Sequence, residues 1–301
     1  THGFSWFGVA LAHQYKAYED GAAFAGVAHT LVQERGYSSS QSTTLVALDQ
    51  VSVWTQPLSH ALEHARSALA SSYNAGNLTM SCYACNHIVS DLLVMGEHLE
   101  RVEQEIERGL EFARRARFND VQGALHTQAR LVRALRLGRI WQSEEPSTER
   151  QALEEQACNS AMTPVAFWWW LFKGVARFLY RDFDSAAQCL EKANTLAWST
   201  PAHIHLLELH FFSALNLSAS CRQGGDSAAT LALMTPHVQK LEGWAALNPQ
   251  TFKDKALLVG AEVARLQGDA MRAMSLYEEA VTAAANAGFV HVQALAHELA
   301  G

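Results

Sequence analysis

The stretch Gln267-Gly268-Asp269-Ala270-Met271-Arg272-Ala273, continued by Tyr277 and Ala280, decides the fold. The glycine suits the turn between two helices. The small residue early in the second helix is followed by an aromatic residue four positions later and a small residue three beyond that, so all three share one helix face. Small residues on such a face let two antiparallel helices approach to about 8–10 Å, and the aromatic ring fills the gap beside them. The stretch therefore predicts a tightly packed helix hairpin.

The same arrangement recurs elsewhere in the chain. Asp182-Phe183-Asp184-Ser185-Ala186, with Leu190 and Ala193, is a second copy, and Tyr18-Glu19-Asp20-Gly21 with Ala28 is a weaker third. Fifteen helices in 301 residues give about 40 residues for each hairpin, which is within the period of helical repeat proteins. The chain is thus predicted to be an array of repeated hairpins.

The prolines mark the joints between helices. Three of the six follow threonine, an order that matches an N-cap and the first helical position. Each of these pairs predicts a helix start, at Thr163-Pro164, Thr200-Pro201 and Thr235-Pro236. Between the joints apolar residues recur at intervals of three and four, which is the helical period.

Composition excludes several classes of protein. With 49% hydrophobic and 18% charged residues the chain is not disordered, and its net charge of -7 offers no basic surface for nucleic acid. No apolar run reaches the roughly 18 residues that would span a bilayer, so no membrane insertion is predicted. Five cysteines in so long a chain indicate a reducing compartment, and we expect a cytoplasmic protein.

The predicted fold is all-α, a right-handed superhelical solenoid of antiparallel helix hairpins, with about seven pairs and a final unpaired helix. Residues 1–301 are expected to form one repeat domain of a larger protein, with soft joints near 138–148 and 221–226. We expect an open, curved ribbon without an enclosed pocket. Its accessible surface should exceed the roughly 12,600 Å² of a compact 33.1 kDa protein.

The hairpin pattern resembles the tetratricopeptide repeat, and several stretches are similar to one family in particular. This family comprises the multidomain hybrid signalling kinases, in which a protein-kinase-like domain and a signal-transducing ATPase precede sensor and histidine-kinase modules. The similar stretches extend across most of the chain: 130–136, 208–212, 248–255, 261–266, 276–280 and 287–300.

The resemblance implies a helical array that follows an ATPase and acts as its sensing or regulatory arm. The sequence has no Gly-x-x-x-x-Gly-Lys-Ser/Thr run, so the nucleotide-binding core is not part of it. The expected function is therefore non-enzymatic: the concave face binds a signal molecule, a peptide, a partner protein or other domains of the same polypeptide. No cofactor is predicted.

The best candidate for ligand contact is a cationic and aromatic patch on the helix that follows Pro164. Lys173 and Arg177 lie four apart on an otherwise apolar helix, on the face that carries aromatic residues. Two histidines of the following segment complete the candidate set. The full set is Trp169, Trp170, Lys173, Arg177, Tyr180, His203 and His210. The alternative is that the aromatic rings are core and the cations reach the surface.

Two other functions stay open on the sequence. Cys82, Cys85 and His87 contain the residue types of a zinc or thiol site, which would make the chain an all-helical enzyme. Free cysteine is also a common core residue, and no second Cys/His cluster accompanies this one. The third possibility is a peptide-binding array of a transcription regulator, which would share the same fold.

Overall fold

The computed structural model describes residues 1–138, 147–222 and 224–301. Over these residues the chain forms fifteen α-helices, which confirms the predicted all-α solenoid of antiparallel hairpins. In chain order they are α1 (His2–Ala10), α2 (Tyr18–Arg35), α3 (Gln41–Ser52), α4 (Leu58–Asn74), α5 (Leu78–Met95), α6 (Leu99–Arg115), α7 (Asn119–Leu137), α8 (Ser147–Cys158), α9 (Thr163–Leu179), α10 (Phe183–Leu196), α11 (His205–Cys221), α12 (Ser227–Leu247), α13 (Pro249–Leu266), α14 (Ala270–Ala287) and α15 (Val290–Ala300).

The hairpin of α13 and α14 has the predicted register. Gly268 lies in the turn with φ at 79°, a left-handed conformation that glycine adopts without strain. The side chain of Asp269 caps α14 by accepting a hydrogen bond from the N–H three residues later, at 3.0 Å. Ala273, Tyr277 and Ala280 are all buried. The predicted small and aromatic positions are therefore the ones that pack.

The hairpin of α9 and α10 repeats this geometry with one substitution. Arg181 occupies the turn position with φ at 60°, where the first copy has glycine. Asp182 caps α10, and Ala186 and Leu190 are buried. A Cβ atom added to Gly174 of α9 would lie 2.9 Å from the Leu190 side chain, so the two helices approach as closely as the repeat requires.

Alternate helices differ in how much of their surface is buried. On α6 the buried residues form one stripe, Val102, Ile106, Gly109 and Ala113, and the rest of the helix faces solvent. In contrast, α5, α9 and α11 are buried over most of their circumference. A helix that is apolar all round packs on both sides. We call α3, α5, α7, α9, α11 and α13 the inner helices, because each contacts the next one of this series as well as its neighbours in the chain.

The two ends of the array meet, which corrects the expectation of an open ribbon. The rings of Trp54, Trp244 and Phe252 pack together with centroid separations of 4.9 to 5.8 Å. Trp244 donates its indole N–H to the hydroxyl of Tyr18 at 2.9 Å. Hairpins from the beginning and end of the chain are thus in direct contact. The accessible surface is nevertheless 13,849 Å², above the value for a compact protein of this mass, as predicted.

Only one of the three threonine-proline pairs begins a helix. Thr163-Pro164 begins α9, as predicted, whereas Thr200-Pro201 lies in the turns before α11. The prediction for Thr235-Pro236 was wrong, because this pair lies inside α12. A proline removes a single hydrogen bond from a helix, and here the packing of Met234 and Leu241 keeps α12 continuous across it.

The predicted soft joints fall partly outside the described residues. This applies to most of the segment near 138–148 and to residue 223 of the joint near 221–226. At the end of the second joint, Asp226 caps α12 by accepting a hydrogen bond from the N–H of Ala228 at 2.8 Å. Within the described ranges, no helix is both long and apolar enough to cross a membrane.

A buried carboxylate joins three helices near the end of the array. Glu262 of α13 accepts hydrogen bonds from Tyr277 of α14 and from Ser218 of α11. Arg265 donates to it at 2.8 Å and Arg222 at 3.0 Å. Burial alone would raise the pKa of Glu262, but Arg265, Ser218 and Tyr277 together lower it below its usual value. The ionised carboxylate is therefore an integral part of the packing.

Candidate functional site

The predicted patch residues on α9 lie in separate surroundings. Lys173 forms an ion pair with Glu154 of α8 at 2.5 Å, and its ammonium lies 4.9 Å from the ring of Trp170. Lys192 of α10 lies 3.8 Å from the same ring. Trp170 is therefore covered by two cations on the outer side of the hairpin.

The other three residues of α9 contact different elements. Arg177 forms an ion pair with Asp182 in the following turn, and Tyr180 donates its hydroxyl to the carbonyl of Ala134 on α7 at 3.0 Å. Trp169 is buried and faces α7, where the guanidinium of Arg130 lies 5.6 Å from its ring.

The two predicted histidines are also apart. His203 is buried beside His205 and Trp168, whereas His210 contacts His237 of α12 at 2.9 Å and the ring of Trp244. The seven predicted residues therefore do not form one surface. Their role in ligand contact stays a prediction, and the residues that do converge are others.

Ionisable side chains converge where the inner helices meet. Asp49 of α3 accepts a hydrogen bond from the Nδ1–H of His87 on α5, and both side chains are buried. Asp91, one turn further along α5, is hydrogen-bonded to Asp49. Burial and the charge of Asp49 raise the pKa of Asp91 well above its usual value, so Asp91 is the protonated partner of the pair.

Two further histidines, His203 and His205, extend this cluster. The ring centroids of His87 and His203 are 5.3 Å apart, and those of His203 and His205 are 5.0 Å apart. Burial, reinforced by the two neighbouring imidazoles, lowers the pKa of His203 well below its usual value, so its ring is neutral. His205 donates its Nδ1–H to Glu208 at 2.5 Å. We call Asp49, His87, Asp91, His203 and His205 the axial cluster.

The axial cluster retains unused hydrogen-bonding capacity. One oxygen of Asp49, one of Asp91 and the Nε2 atoms of His203 and His205 are buried without a protein partner. Polar atoms buried in this way are usually satisfied by ordered water. None of these four residues lines the cavity described below or the groove that contains Cys85. The cluster is therefore a polar core of the superhelix.

A cavity of about 300 Å³ lies beside the axial cluster, and Glu208 forms part of its wall. Its lining comes from the inner helices α5, α7, α9, α11 and α13 and from α6 and α15, so both halves of the array enclose it. We call it the axial cavity. Apolar side chains make up most of its wall: Leu93, Val94, Leu99, Leu131, Leu135, Val175, Leu179, Leu207, Phe211, Phe212, Val292 and Leu295.

The turn between α5 and α6 positions one edge of this cavity. α5 ends at Gly96, whose φ of 67° turns the chain away from the helix. A Cβ atom added to Gly96 would lie 1.8 Å from Nδ1 of His291, so only glycine leaves room for this ring. Partial burial and the nearby ammonium of Lys255 lower the pKa of His291. A neutral imidazole of α15 therefore closes the cavity against the turn.

The residues of the predicted thiol or metal site do not converge. His87 faces the axial cluster, whereas Cys85 lines a groove between α4, α5 and α6. Burial raises the pKa of Cys82 to about 11 and that of Cys85 to about 12, so both thiols are protonated and poorly nucleophilic. In the part of the chain that the structure describes, no three His, Cys, Asp or Glu side chains are placed to hold a metal ion.

The fold and the repeat register define a tetratricopeptide-like helical repeat region, a class of domain that generally mediates contacts between proteins. Residues 170–298, somewhat less than half of the chain, match the family described as CHK1-like, TPR repeats. The match begins in α9 and ends in α15, so it includes the copies of the repeat that the structure confirms. No curated protein matches the chain.

Neither carboxylate of the axial cluster, Asp49 or Asp91, was predicted from the sequence. A signal was present, because His87 and Asp91 lie four apart in a segment that is otherwise strongly apolar. Two ionisable residues on one face of a helix that is buried all round require buried partners. The partner on α3 could not be identified, because the chain gives no indication of which turns of α3 and α5 adjoin.

Proposed function

We propose that the chain is a non-enzymatic, cytoplasmic regulatory domain of a signalling kinase or ATPase, and that a signal molecule or partner acts on it from the concave side. The stretches that resemble the multidomain signalling kinases lie largely within residues 170–298, the part that matches the CHK1-like repeat family. A helical repeat array suits this role, because small rotations between successive units add up to a large change in shape.

The observation that carries this proposal is the way α15 closes the axial cavity. α15 contacts the turn after α5 through His291 and Gly96, and it contacts the turn before α10 through an ion pair of Arg181 with Glu298, at 2.9 Å. Both side chains of that ion pair are mostly exposed, and such pairs contribute less than about 1 kcal/mol. This ion pair is therefore weak, and a bound molecule could strengthen or break it at little cost.

Separation of α15 from the turn after α5 should change the enzymatic activity of the parent polypeptide. In the intact parent protein, Gly96→Ala is expected to alter basal kinase or ATPase activity, because the new methyl group displaces His291. Gly36→Ala is the matched control: Gly36 has the same φ of 67°, but a Cβ atom there would meet nothing within 4 Å. Its activity should equal that of the unmodified protein.

A distance measurement keeps the outcome interpretable. Nitroxide labels at the exposed positions Glu100 and His297, in a Cys158→Ser background, report the separation of α6 and α15. If Gly96→Ala lengthens this distance while parent activity stays unchanged, the regulatory proposal is wrong. A parent polypeptide that carries a DNA-binding module and no kinase or ATPase would support the transcription-regulator alternative instead.

A further inference from the structure

We propose that the axial cavity binds a neutral, mainly apolar small molecule of about ten non-hydrogen atoms that carries a single hydrogen-bonding group. This inference rests on the proposed function, since it names the class of signal that would act from the concave side. It concerns a small molecule alone, and the protein-contact surfaces of the array are separate from it.

The size of the ligand follows from the volume of the cavity. About 300 Å³ corresponds to roughly ten water-sized groups at ~30 Å³ each. This volume is at the lower end of the range for small-molecule sites, which are usually concave and mainly apolar. Left empty, it would deprive the side chains around it of packing contacts on one side.

The charge of the ligand follows from the partners of the charged lining residues. The ammonium of Lys255 is 3.1 and 3.3 Å from the carboxylate oxygens of Asp254 and donates to the carbonyl of Thr251 at 3.2 Å. Its position 3.7 Å from the ring of Phe289 adds a cation–π contact. Lys255 therefore has its hydrogen-bonding capacity and its charge satisfied within the protein.

Both carboxylates of the lining are paired as well. Glu208 accepts a hydrogen bond from His205 at 2.5 Å, and Glu97 forms an ion pair with Arg101 at 2.8 Å. A charged ligand would enter an apolar cavity without an unpaired countercharge, and burial of an uncompensated charge is strongly unfavourable. Charge pairing thus favours a neutral ligand over an anion or a cation.

The position of the polar group follows from the mouth of the cavity. Leu179 of α9 is 39% exposed and His291 of α15 is exposed, so the cavity reaches solvent between these two helices. A neutral imidazole can both donate and accept a hydrogen bond. A hydroxyl or carbonyl group of the ligand would therefore lie beside His291, with its apolar part directed toward Leu131 and Leu207.

Three probes of equal length test the charge preference. We expect 1-decanol to bind the 301-residue chain at pH 7 at least tenfold more tightly than decanoate or decylamine, measured by isothermal titration calorimetry. Methyl NMR shifts caused by 1-decanol should be confined to lining residues such as Leu131, Val175, Leu207 and Val292. Equal affinity for the three probes, no binding of 1-decanol, or shifts spread over exposed leucines would each overturn the proposal.

Two valine substitutions on α9 test the location. Val175→Phe places a ring in the cavity and should weaken 1-decanol binding at least tenfold. Val165→Phe, ten residues earlier on the same helix, adds the same ring at a buried position outside the cavity and should leave binding unchanged. If circular dichroism shows that Val175→Phe does not fold, the NMR shifts in the unmodified chain decide the location.

The two proposals fail in different ways. Ligand binding is measured on the repeat chain, whereas regulation is measured as a change in parent activity on Gly96→Ala without any ligand. If 1-decanol fails to bind while Gly96→Ala changes parent activity, only the inference about the ligand is lost. The converse result would leave a ligand site without the proposed regulatory role.

Discussion

Replacement of Gly96 by alanine should destabilise the closure of the array through two separable effects. The first is backbone strain, because a left-handed φ of 67° costs a residue with a Cβ atom about 1–2 kcal/mol. The second is overpacking: the new methyl carbon would lie 1.8, 2.5 and 2.8 Å from three ring atoms of His291. To reach ordinary contact the ring must retreat by roughly 1.5–2 Å, at a typical overpacking cost of about 1–3 kcal/mol.

The exposed position of His291 sets the expected total destabilisation. The ring can rotate toward solvent, so we expect the overpacking cost to be near its lower limit of about 1 kcal/mol. Gly96→Ala should then lower the free energy of unfolding by about 2–3 kcal/mol, against about 1–2 kcal/mol for Gly36→Ala. Urea denaturation measures both values. The amides of α15 should also exchange faster with solvent in Gly96→Ala alone.

A double-mutant cycle separates the two effects. In a His291→Ala background the ring is absent. Gly96→Ala should then lower the free energy of unfolding by no more than Gly36→Ala does in the unmodified chain. If Gly96→Ala costs the same with and without the His291 ring, the contact between α15 and the α5–α6 turn does not exist in solution. The argument for closure by α15 would then be refuted.

Three further predictions concern the buried ionisable groups. Glu262→Ala should lower the free energy of unfolding in urea denaturation by about 3–5 kcal/mol, because it leaves the arginine and hydroxyl groups around it without their acceptor. A decrease below about 1 kcal/mol would contradict the buried network. Burial and the adjacent His237 lower the pKa of His210 to about 3, so the folded state keeps this ring neutral while the unfolded state protonates it below pH 6.5. Its contribution to stability is therefore lost as pH falls through 6.5 toward 3, by about 1.0 kcal/mol between pH 6.5 and pH 5.5, and His210→Gln should lose that much less over the same interval. Ellman's reagent at pH 8 should titrate the exposed Cys158 in the folded chain and the four buried cysteines, Cys85 among them, only on unfolding, because the reagent cannot reach a buried thiol. Reaction of a second thiol at the rate of Cys158 would contradict the burial of these side chains.

The local units of the fold were predictable because their determinants are close in sequence. The turn glycine at Gly268 and the small residues of α14 specify a hairpin by themselves, and the same positions recur in α10 with Arg181 in place of glycine. Thr235-Pro236 was misleading for a physical reason. A threonine-proline pair indicates only that proline is compatible with the first helical position. It does not exclude a position inside a helix, and Pro236 lies inside α12.

The global closure was not predictable from such local patterns. Curvature arises from a small rotation between successive units that accumulates along the array, so an error of a few degrees in each unit decides whether the ends meet. The contact of Trp54 with Trp244 and Phe252 depends on this sum. The axial cluster was not predictable for a related reason: Asp49 and Asp91 become neighbours only once α3 and α5 are side by side.

Closure also changes how a bound molecule can act on the array. In an open solenoid each hairpin touches only its neighbours, so a ligand on one hairpin affects distant hairpins through many intervening joints. Here the axial cavity is lined at once by α5, α7, α9, α11, α13 and α15. A molecule that fills it contacts helices more than a hundred residues apart, such as those carrying Val94 and Val292. Because α15 contacts the α5–α6 turn through His291, a molecule in this cavity would act on that contact as well as on the inner helices.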